Sequence, residues 1–180
     1  MIYVFLAEGF EEVEALTPVD MLRRSGKQVV TVGVGDSIIR GSHGIPVVAD
    51  TIAQEAVLDE NLEMIVLPGG MPGTLNLEKS EYVQKAIDYC AEHGKYIGAI
   101  CAGPSILGHK GLLRGRKAVC YTGFESQLEG AETSEKPVET DGIFITSRGA
   151  GTAMEFALKL VEKAVSKEES ERQRSAVLCN

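Results

Sequence analysis

A cysteine that directly follows a short apolar run is the residue of this sequence best placed to do chemistry. Tyr96–Ile100 predicts a buried strand, and Cys101 comes immediately after it. Ala99 and Gly103, two residues to either side of the cysteine, are small, as a tight strand-to-helix turn with a nucleophile at its tip requires. Pro104 fits the first turn of the helix that follows. The spacing therefore predicts that Cys101 lies at the tip of a nucleophile elbow.

The predicted elbow sets the expected reactivity of this thiol. A helix N-terminus and its unpaired amides favour thiolate over thiol, and such sites bring cysteine pKa values from about 8.5 to well below 7. We therefore expect a lowered pKa for Cys101. Cys90, on an apolar helix stripe, is interpreted as a structural thiol. Cys120 is interpreted in the same way, with resolution of an oxidised Cys101 as its alternative, and Cys179 is expected to be exposed without a role.

A glycine pair follows the apolar run Met64–Leu67, which predicts another buried strand. Ligands of open α/β sheets bind outside the carboxyl ends of the strands, and glycines let backbone amides approach them closely. We expect the N–H of Gly70, together with that of Ala102, to form an oxyanion hole. Gly69 is a further candidate for the wall of a substrate pocket.

Four carboxylates lie within seven residues after the first apolar run, from Glu8 to Glu14. Most of them are expected to face solvent, but Glu14 has apolar neighbours and is the best candidate to turn inward over the active end of the sheet. An ionised carboxylate beside the cysteine would raise the thiol pKa, whereas a protonated one would donate a hydrogen bond and lower it. Such a pair would titrate as a coupled unit.

Short apolar runs alternate with helical patterns along the chain. The predicted strands are Ile2–Ala7, Gln28–Val34, Met64–Leu67, Tyr96–Ile100, Ala118–Tyr121 and Ile143–Ser147. The predicted helices include one around Val83–Ala91, one over Ala153–Ala164 and one that starts at Thr17 with Pro18 in its first turn. Residues 38–48 predict an irregular hairpin, and the charged tail after Val165 either extends the last helix or frays. This alternation predicts a single α/β domain over residues 1–180, with a doubly wound, mainly parallel sheet covered by helices on both faces.

Composition and charge exclude several classes of function. Hydrophobic residues make up 44% of the 180 residues and the formal net charge is −8, which argues against a nucleic-acid surface. No run approaches the roughly 18 apolar residues of a membrane span, and no signal peptide is evident, so we expect a cytoplasmic protein without a membrane partner. The cysteines show neither CxxC spacing nor paired histidines, and the sequence predicts no metal and no organic cofactor.

Four motifs together resemble the DJ/ThiJ/PfpI superfamily. They are GFEEVE ending at Glu14, VLPGG ending at Gly70, AICAGP around Cys101, and TSRGAGT from Thr146 to Thr152. Their order and spacing are similar to those of the branch that contains the parkinsonism-associated protein deglycase and its bacterial relatives. The resemblance spans nearly the whole chain, and it is the combination of motifs that makes it specific.

The resemblance implies a flavodoxin-like fold and a homodimer. By position, Cys101 matches the reactive cysteine of the family, Glu14 its partner carboxylate, and Gly70 and Ala102 its backbone donors. The implied activities are glyoxalase without glutathione, deglycation of methylglyoxal adducts, redox sensing and chaperone-like protection, and an older label links the family to thiamine precursor synthesis. The implied partners are a small reactive aldehyde or a glycated protein, and the leading hypothesis is α-oxoaldehyde processing through the Cys101 thiolate.

Three positions depart from related patterns or stay open. Ala102 stands where the protease-like branch has histidine, which disfavours peptide hydrolysis, and Tyr121 stands where some relatives have histidine. His43 aligns with a position that some relatives place near the active site. Arg148 follows a strand end and could meet an anionic group or a dimer partner. His43, Tyr121 and Arg148 therefore join Gly69 as candidate pocket residues.

Overall fold

A central sheet of seven strands organises the molecule, which we describe from a computed structural model for residues 1–179. The strands of this part of the chain are β1 (Ile2–Ala7), β2 (Val29–Val34), β3 (Ile38–Arg40), β4 (Pro46–Val48), β5 (Thr51–Ile52), β6 (Met64–Leu67), β7 (Tyr96–Ile100), β8 (Lys117–Ala118), β9 (Glu132–Thr133), β10 (Val138–Asp141) and β11 (Phe144–Ser147). The α-helices are α1 (Glu12–Arg24), α2 (Gly73–Lys79), α3 (Glu81–Glu92), α4 (Pro104–His109), α5 (Ala153–Ala164) and α6 (Lys167–Ala176).

The order of the strands brings four carboxyl ends to one edge of the sheet. The order is β10-β11-β7-β6-β1-β2-β5, and every pair is parallel except β10 with β11. Leu67 pairs with Ala99, and Ser147 pairs with Ile100, so β6, β7 and β11 end side by side next to β1. The flavodoxin-like, mainly parallel fold is confirmed, although β2 and β11 each begin one residue later than predicted. Ligands of such sheets bind at this edge.

Helices cover both faces of the sheet and create two apolar cores. One core joins β1 and β6 to α1 and α5, and the other joins the opposite face to α3 and α4. The predicted α3 stripe is confirmed for Val83, Ala86, Ile87 and Cys90, which are all fully buried, while Ala91 at its end is only partly buried. Gly98 of β7 shows how closely α5 approaches, because a Cβ atom there would lie 2.9 Å from a Leu160 methyl group. This packing fixes β7, and with it the cysteine at its end.

Helix α1 begins earlier than the sequence pattern predicted. Thr17 was expected to cap it, but the helix starts at Glu12, and Pro18 lies in its interior. The start is set by tertiary contacts: the Glu11 N–H donates to the Gly69 carbonyl at 2.9 Å, and the Ala15 N–H donates to the Glu11 carbonyl at 3.2 Å. Pro18 removes one helical hydrogen bond, but its fixed φ is compatible with a helix. The earlier start places Glu14 in the first turn.

The strand predicted over Ala118–Tyr121 is also wrong in extent and in partner. Only Lys117–Ala118 forms a strand, β8, which pairs with β9 outside the central sheet. The next residues bond across the site instead of along a ladder, because the Val119 N–H donates to Thr146 Oγ1 at 3.0 Å and the Tyr121 N–H donates to the Cys101 carbonyl at 2.8 Å. These bonds tie the segment to the elbow.

Two peripheral predictions can also be compared with the structure. The hairpin is confirmed as the antiparallel pair β3–β4. The charged tail forms a separate helix, α6, which is capped by Ser166 and joined to α5 by a hydrogen bond from Ser170 Oγ to the Leu158 carbonyl at 2.8 Å. Within residues 1–179, no helix combines the length and the apolar character that crossing a membrane requires.

Candidate active site

Cys101 lies at the tip of a strained turn between β7 and α4. Its φ of 64° is in the left-handed region, which is uncommon for a residue with a side chain and recurs at functional sites. Its N–H donates to the Ser147 carbonyl at 3.0 Å, and its carbonyl accepts from the Tyr121 N–H. Cys101 is partly exposed, whereas Cys90 and Cys120 are buried. The turn therefore presents this thiol at the edge of the sheet where β6, β7 and β11 end.

Two glycines leave the space that the elbow needs. A Cβ atom on Gly103 would lie 2.6 Å from the Leu67 carbonyl oxygen, closer than van der Waals contact allows. A Cβ atom on Gly69 would lie 2.6 Å from Cys101 Cβ and 2.7 Å from Glu14 Oε2. The prediction that the turn excludes bulkier residues is confirmed at Gly103, and Gly69 makes room for the pairing of the thiol with the carboxyl group.

Glu14 enters the site from the first turn of α1 and is 1% exposed. Its Oε2 accepts from the Gly69 N–H at 2.9 Å, and its carboxyl group also bonds the Ala150 N–H and the Cys101 thiol. The sequence therefore identified the carboxylate that turns inward. Ala150 was not identified as a separate partner, although it lies within the TSRGAGT motif.

Burial raises the pKa values of both members of this pair. The pKa of Glu14 rises to about 7, because burial outweighs its hydrogen bonds with Cys101 and the Gly69 amide. Burial and the negative charge of Glu14 raise the pKa of Cys101 to about 12, although the amides of Ala102 and Gly70 donate to the sulfur and act in the opposite direction. The expected lowering of the pKa of Cys101 is thus wrong, because burial is the largest cause of the shift and raises it. The two groups hold a shared proton as one titrating unit.

The loops that carry Glu14 and the glycine pair interlock through their backbones. The Gly73 N–H donates to the Gly9 carbonyl at 3.2 Å, and Glu11 bonds Gly69 as described above. A Cβ atom on Gly9 would lie 2.5 Å from the Pro72 ring, and one on Gly70 would lie 2.4 Å from the Glu11 amide nitrogen. Glycine is required at these contacts because no side chain fits between the backbones of the two loops.

His43 lies on the hairpin beside the site, and its side chain bonds carboxylates other than that of Glu14. Its side chain is 70% exposed, and its Nδ1 lies 3.1 Å from Glu12 Oε2 and 3.3 Å from Glu11 Oε2. The hydrogen bond with Glu12 raises the pKa of His43. Within residues 1–179, no hydrogen bond joins His43 to Cys101 or Glu14.

Glu12 is a buried carboxylate that the sequence interpretation missed. It is 5% exposed and accepts from the backbone N–H of His43 at 2.9 Å. Nothing in the spacing of the carboxylates distinguishes it, because its burial depends on the hairpin that folds over it. The ligand atoms of Glu11, Glu12 and His43 all lie within 4.8 Å of one another, but their mutual hydrogen bonds account for this arrangement, and we assign no ion to it.

A cavity of about 360 Å³ adjoins the Cys101–Glu14 pair, because Tyr121 in its wall bonds the Cys101 carbonyl and Ala150 bonds the Glu14 carboxyl group. Its walls are formed by Tyr121, Thr122, Arg148, Gly149, Ala150, Gly151 and Thr152. The structure therefore brings two of the candidate pocket residues, Tyr121 and Arg148, together in one wall, where Tyr121 is 53% exposed. Thr122 was missed, although it directly follows Tyr121 in the sequence.

Comparison with known proteins identifies one family. The model of the DJ-1/PfpI family matches residues 1–163. DJ-1 homolog B of Arabidopsis thaliana is 39% identical over 168 residues, which are 92% of this chain and 38% of that protein. The chain spans less than half the length of this relative and of DJ-1 homolog A of the same plant, of which it covers 45%.

For a further relative and for a solved structure, the match covers most of this chain and most of the other protein. The glutathione-independent glyoxalase DJR-1.2 of Caenorhabditis elegans is 35% identical over 157 residues, which are 86% of this chain and 83% of that protein. The structure of oxidized DJ-1 from Toxoplasma gondii superimposes with a TM-score of 0.93 at 38% identity. The superposition covers 98% of this chain and 97% of the Toxoplasma gondii chain.

Proposed function

This chain belongs to the DJ-1/PfpI family, and on this premise we propose that it is a cysteine-dependent enzyme that processes α-oxoaldehydes. It would convert methylglyoxal or glyoxal to the hydroxy acid without glutathione, or remove methylglyoxal adducts from proteins. The observation that carries the proposal is the hydrogen-bonded Cys101–Glu14 pair, with the amides of Gly70 and Ala102 on the sulfur. A 35%-identical relative that is named a glutathione-independent glyoxalase supports it.

The first step forms the bond between sulfur and the substrate. Glu14 takes the thiol proton, which gives a thiolate beside a neutral carboxyl group, and this avoids two adjacent buried charges. The thiolate attacks the aldehyde carbon, and the electron pair of the C=O bond moves to oxygen. The amides of Gly70 and Ala102 flank the sulfur and would stabilise the resulting oxyanion. Glu14 then returns the proton to this oxygen, which completes a hemithioacetal.

The second step moves hydrogen between adjacent carbons. The Glu14 carboxylate removes the proton on the former aldehyde carbon, and an enediolate forms as the neighbouring ketone oxygen accepts the electron pair. Glu14 delivers its proton to the ketone carbon, while the hydroxyl proton passes to the ketone oxygen. The product is a thioester of Cys101, and water hydrolyses it to the hydroxy acid and the free thiol. Addition, proton transfer and hydrolysis call for no metal and no organic cofactor.

The decisive experiment is detection of lactate from methylglyoxal by NMR. We expect turnover in the wild type, and loss of at least 100-fold in Cys101→Ser and Glu14→Gln, because the removal of a positioned acid–base group costs about 10²–10⁴-fold. Cys179→Ser is the matched control, since it makes the same substitution at a thiol near the C-terminus. Full turnover in Cys101→Ser would overturn the proposal.

A separate assay distinguishes the removal of adducts from the removal of free aldehyde. Methylglyoxal adducts dissociate spontaneously, and a glyoxalase that consumes the released aldehyde would deplete them indirectly. We propose a glycated protein as a substrate only if adduct loss, measured by mass spectrometry, is faster than spontaneous dissociation. Adduct loss that never exceeds this rate assigns the free aldehyde as the substrate.

A redox sensor or chaperone-like stress protein is the second candidate function. The observation that favours sensing is the partial exposure of Cys101, next to the burial of Cys90 and Cys120. A Cys101 thiolate would attack a peroxide oxygen, the O–O bond would break, and sulfenic acid and water would form. Mass spectrometry of peroxide-treated protein tests this candidate. Sensing is excluded if Cys101 oxidises no faster than Cys90.

We also propose that the protein forms a homodimer. An apolar groove on the outer side of α1 supports this, and its walls are formed by Glu12, Val13, Leu16, Thr17, Asp20, Ile45 and Met154. Val13 and Ile45 are 49% and 54% exposed, although both are apolar. A second copy of the chain would remove this surface from water.

A further inference from the structure

The cavity beside the Cys101–Glu14 pair carries an inference about the class of substrate. Gly149 connects the two, because a Cβ atom on it would lie 3.8 Å from Glu14 Oε1 and 3.4 Å from the Tyr121 ring. The volume of about 360 Å³ falls within the range of small-molecule sites, which is about 300–1,000 Å³. A substrate bonded to the sulfur can therefore extend over Gly149 into this cavity.

Arg148 contributes a positive charge to the cavity wall. Its guanidinium donates to the Glu135 carbonyl at 3.1 Å and to Thr122 Oγ1 at 3.2 Å, and both of these acceptors are neutral. Among residues 1–179, no salt bridge is formed by Arg148. Other surface arginines do pair with carboxylates, for example Arg23 with Asp50. The two neutral acceptors orient the Arg148 guanidinium without neutralising its charge.

Glu125 and Glu14 both carry carboxyl groups near this region, and neither is paired with Arg148 within the described residues. Burial and the negative charge of Glu125 raise the pKa of Cys120, and the positive charge of Arg148 acts on the same thiol in the opposite direction. Glu14 lies behind Gly149 in the cavity wall, and its pKa of about 7 leaves it partly neutral near neutral pH. Guanidinium binds carboxylate and phosphate through two parallel hydrogen bonds, and a threonine hydroxyl can supply a third donor.

We propose that Arg148 and Thr122 form a binding subsite for an anionic group, so that the preferred substrates are α-oxoaldehydes that carry a carboxylate or a phosphate. The inference rests on the proposed function and narrows its substrate class to anionic α-oxoaldehydes. The aldehyde carbon bonds Cys101, the chain crosses Gly149, and the anionic end meets the guanidinium. Tyr121 forms the apolar side of the path, and a neutral aldehyde such as methylglyoxal would leave the subsite unused.

Steady-state kinetics with three substrates test the proposal. Methylglyoxal is the neutral reference, 4,5-dioxopentanoate carries a carboxylate, and hydroxypyruvaldehyde phosphate carries a phosphate. We expect wild-type kcat/KM to be higher for at least one anionic substrate, and the comparison of the two identifies which anion is preferred. In Arg148→Met, the ratio of anionic to neutral kcat/KM should fall by about tenfold or more, the size of a lost charge-assisted pair. Arg148→Lys should retain part of the ratio.

Arg114→Met is the matched control, because Arg114 is exposed, lies outside the cavity and makes no salt bridge within the described residues. This variant should keep the wild-type ratio. An equal ratio in wild type and Arg148→Met would overturn the subsite while the proposed function stands. If the wild type turns over none of the substrates, the proposed function fails. NMR titration with inorganic phosphate and with acetate then decides the subsite: shifts at the Thr122 and Gly149 amides that vanish in Arg148→Met support it, and unchanged spectra overturn it.

Discussion

The carboxyl group of Glu14 and the thiol of Cys101 share a hydrogen bond in a buried site, and this bond favours a charge on the carboxylate while it opposes a charge on the sulfur. Burial raises both pKa values, and the charge of Glu14 raises that of Cys101 further. The pair is therefore most stable with one proton between the two groups when the surrounding pH is near neutral or above. A change at either residue should alter the titration of the other.

Removal of the Glu14 charge should make the thiol more acidic. In Glu14→Gln the repulsion disappears, while the amides of Gly70 and Ala102 still donate to the sulfur, so we expect the pKa of Cys101 to fall. The pH dependence of alkylation by iodoacetamide, with Cys101 followed by mass spectrometry, measures this. Glu60→Gln serves as the surface control, and an unchanged Cys101 profile in Glu14→Gln contradicts the prediction.

The same substitution should stabilise the protein at high pH. The pKa of Glu14 is raised from 4.5 to about 7 on folding, so the stability provided by its protonated form is fully present below 4.5 and is lost as pH rises through 7. At pH 8, Glu14→Gln should therefore unfold with a free energy roughly 3 kcal/mol higher than wild type, and at pH 5 with a gain below about 1 kcal/mol. Urea denaturation at the two pH values checks this. A gain that does not depend on pH would exclude titration of Glu14 as its cause.

Addition of one methyl group at Gly69 should abolish activity and lower stability. A Cβ atom there would overlap Cys101 Cβ and Glu14 Oε2, so the thiol and carboxyl groups must separate. We expect Gly69→Ala to reduce the free energy of unfolding by about 1–3 kcal/mol, as overpacked sites do. Gly151→Ala is the control for stability, because no atom lies within 4 Å of the added methyl group. Equal melting temperatures for the two variants would contradict the crowding argument.

A charge in the α1 groove should dissociate the proposed homodimer. Val13→Lys places an ammonium group on the wall of this groove, and the cost of burying a charge there opposes association. We expect light scattering to report a dimer for wild type and a monomer for this variant. Val57→Lys is the matched control, since Val57 is similarly exposed but lies outside this groove. A monomeric wild type would refute the proposal at once.

The sequence predicts the strands well where one apolar run specifies one buried strand, as in Ile2–Ala7 and Tyr96–Ile100. It fails where distant segments decide the local structure. Thr17 has the right type for a helix cap, yet contacts with the Gly69 loop start α1 at Glu12. Residues 119–121 have a strand-like composition but bond Thr146 and Cys101 instead of a neighbouring strand.

The residues of the candidate site also divide into those that the local sequence identifies and those that depend on distant segments. Cys101 and Glu14 could be identified because a strict spacing surrounds the first and apolar neighbours flank the second. The burial of Glu12 could not be predicted, since it depends on the His43 hairpin folding over it. The direction of the Cys101 pKa shift was missed for a related reason. The effect of a helix terminus is local and visible in sequence, whereas the depth of burial and the nearby carboxylate are properties of the whole fold.

The glycine interlock between the Gly9 and Gly70 loops has a consequence for how this protein can evolve. Because the contact is made by backbone atoms with no room for a side chain, a substitution in either loop requires a compensating change in the other. Single substitutions at these glycines, which form this wall of the site, should therefore not be tolerated. The opposite wall is open, since Tyr121 and Thr122 are exposed and form no such interlock. Substitutions among descendants of this chain should accumulate there, while Cys101 and Glu14 stay fixed.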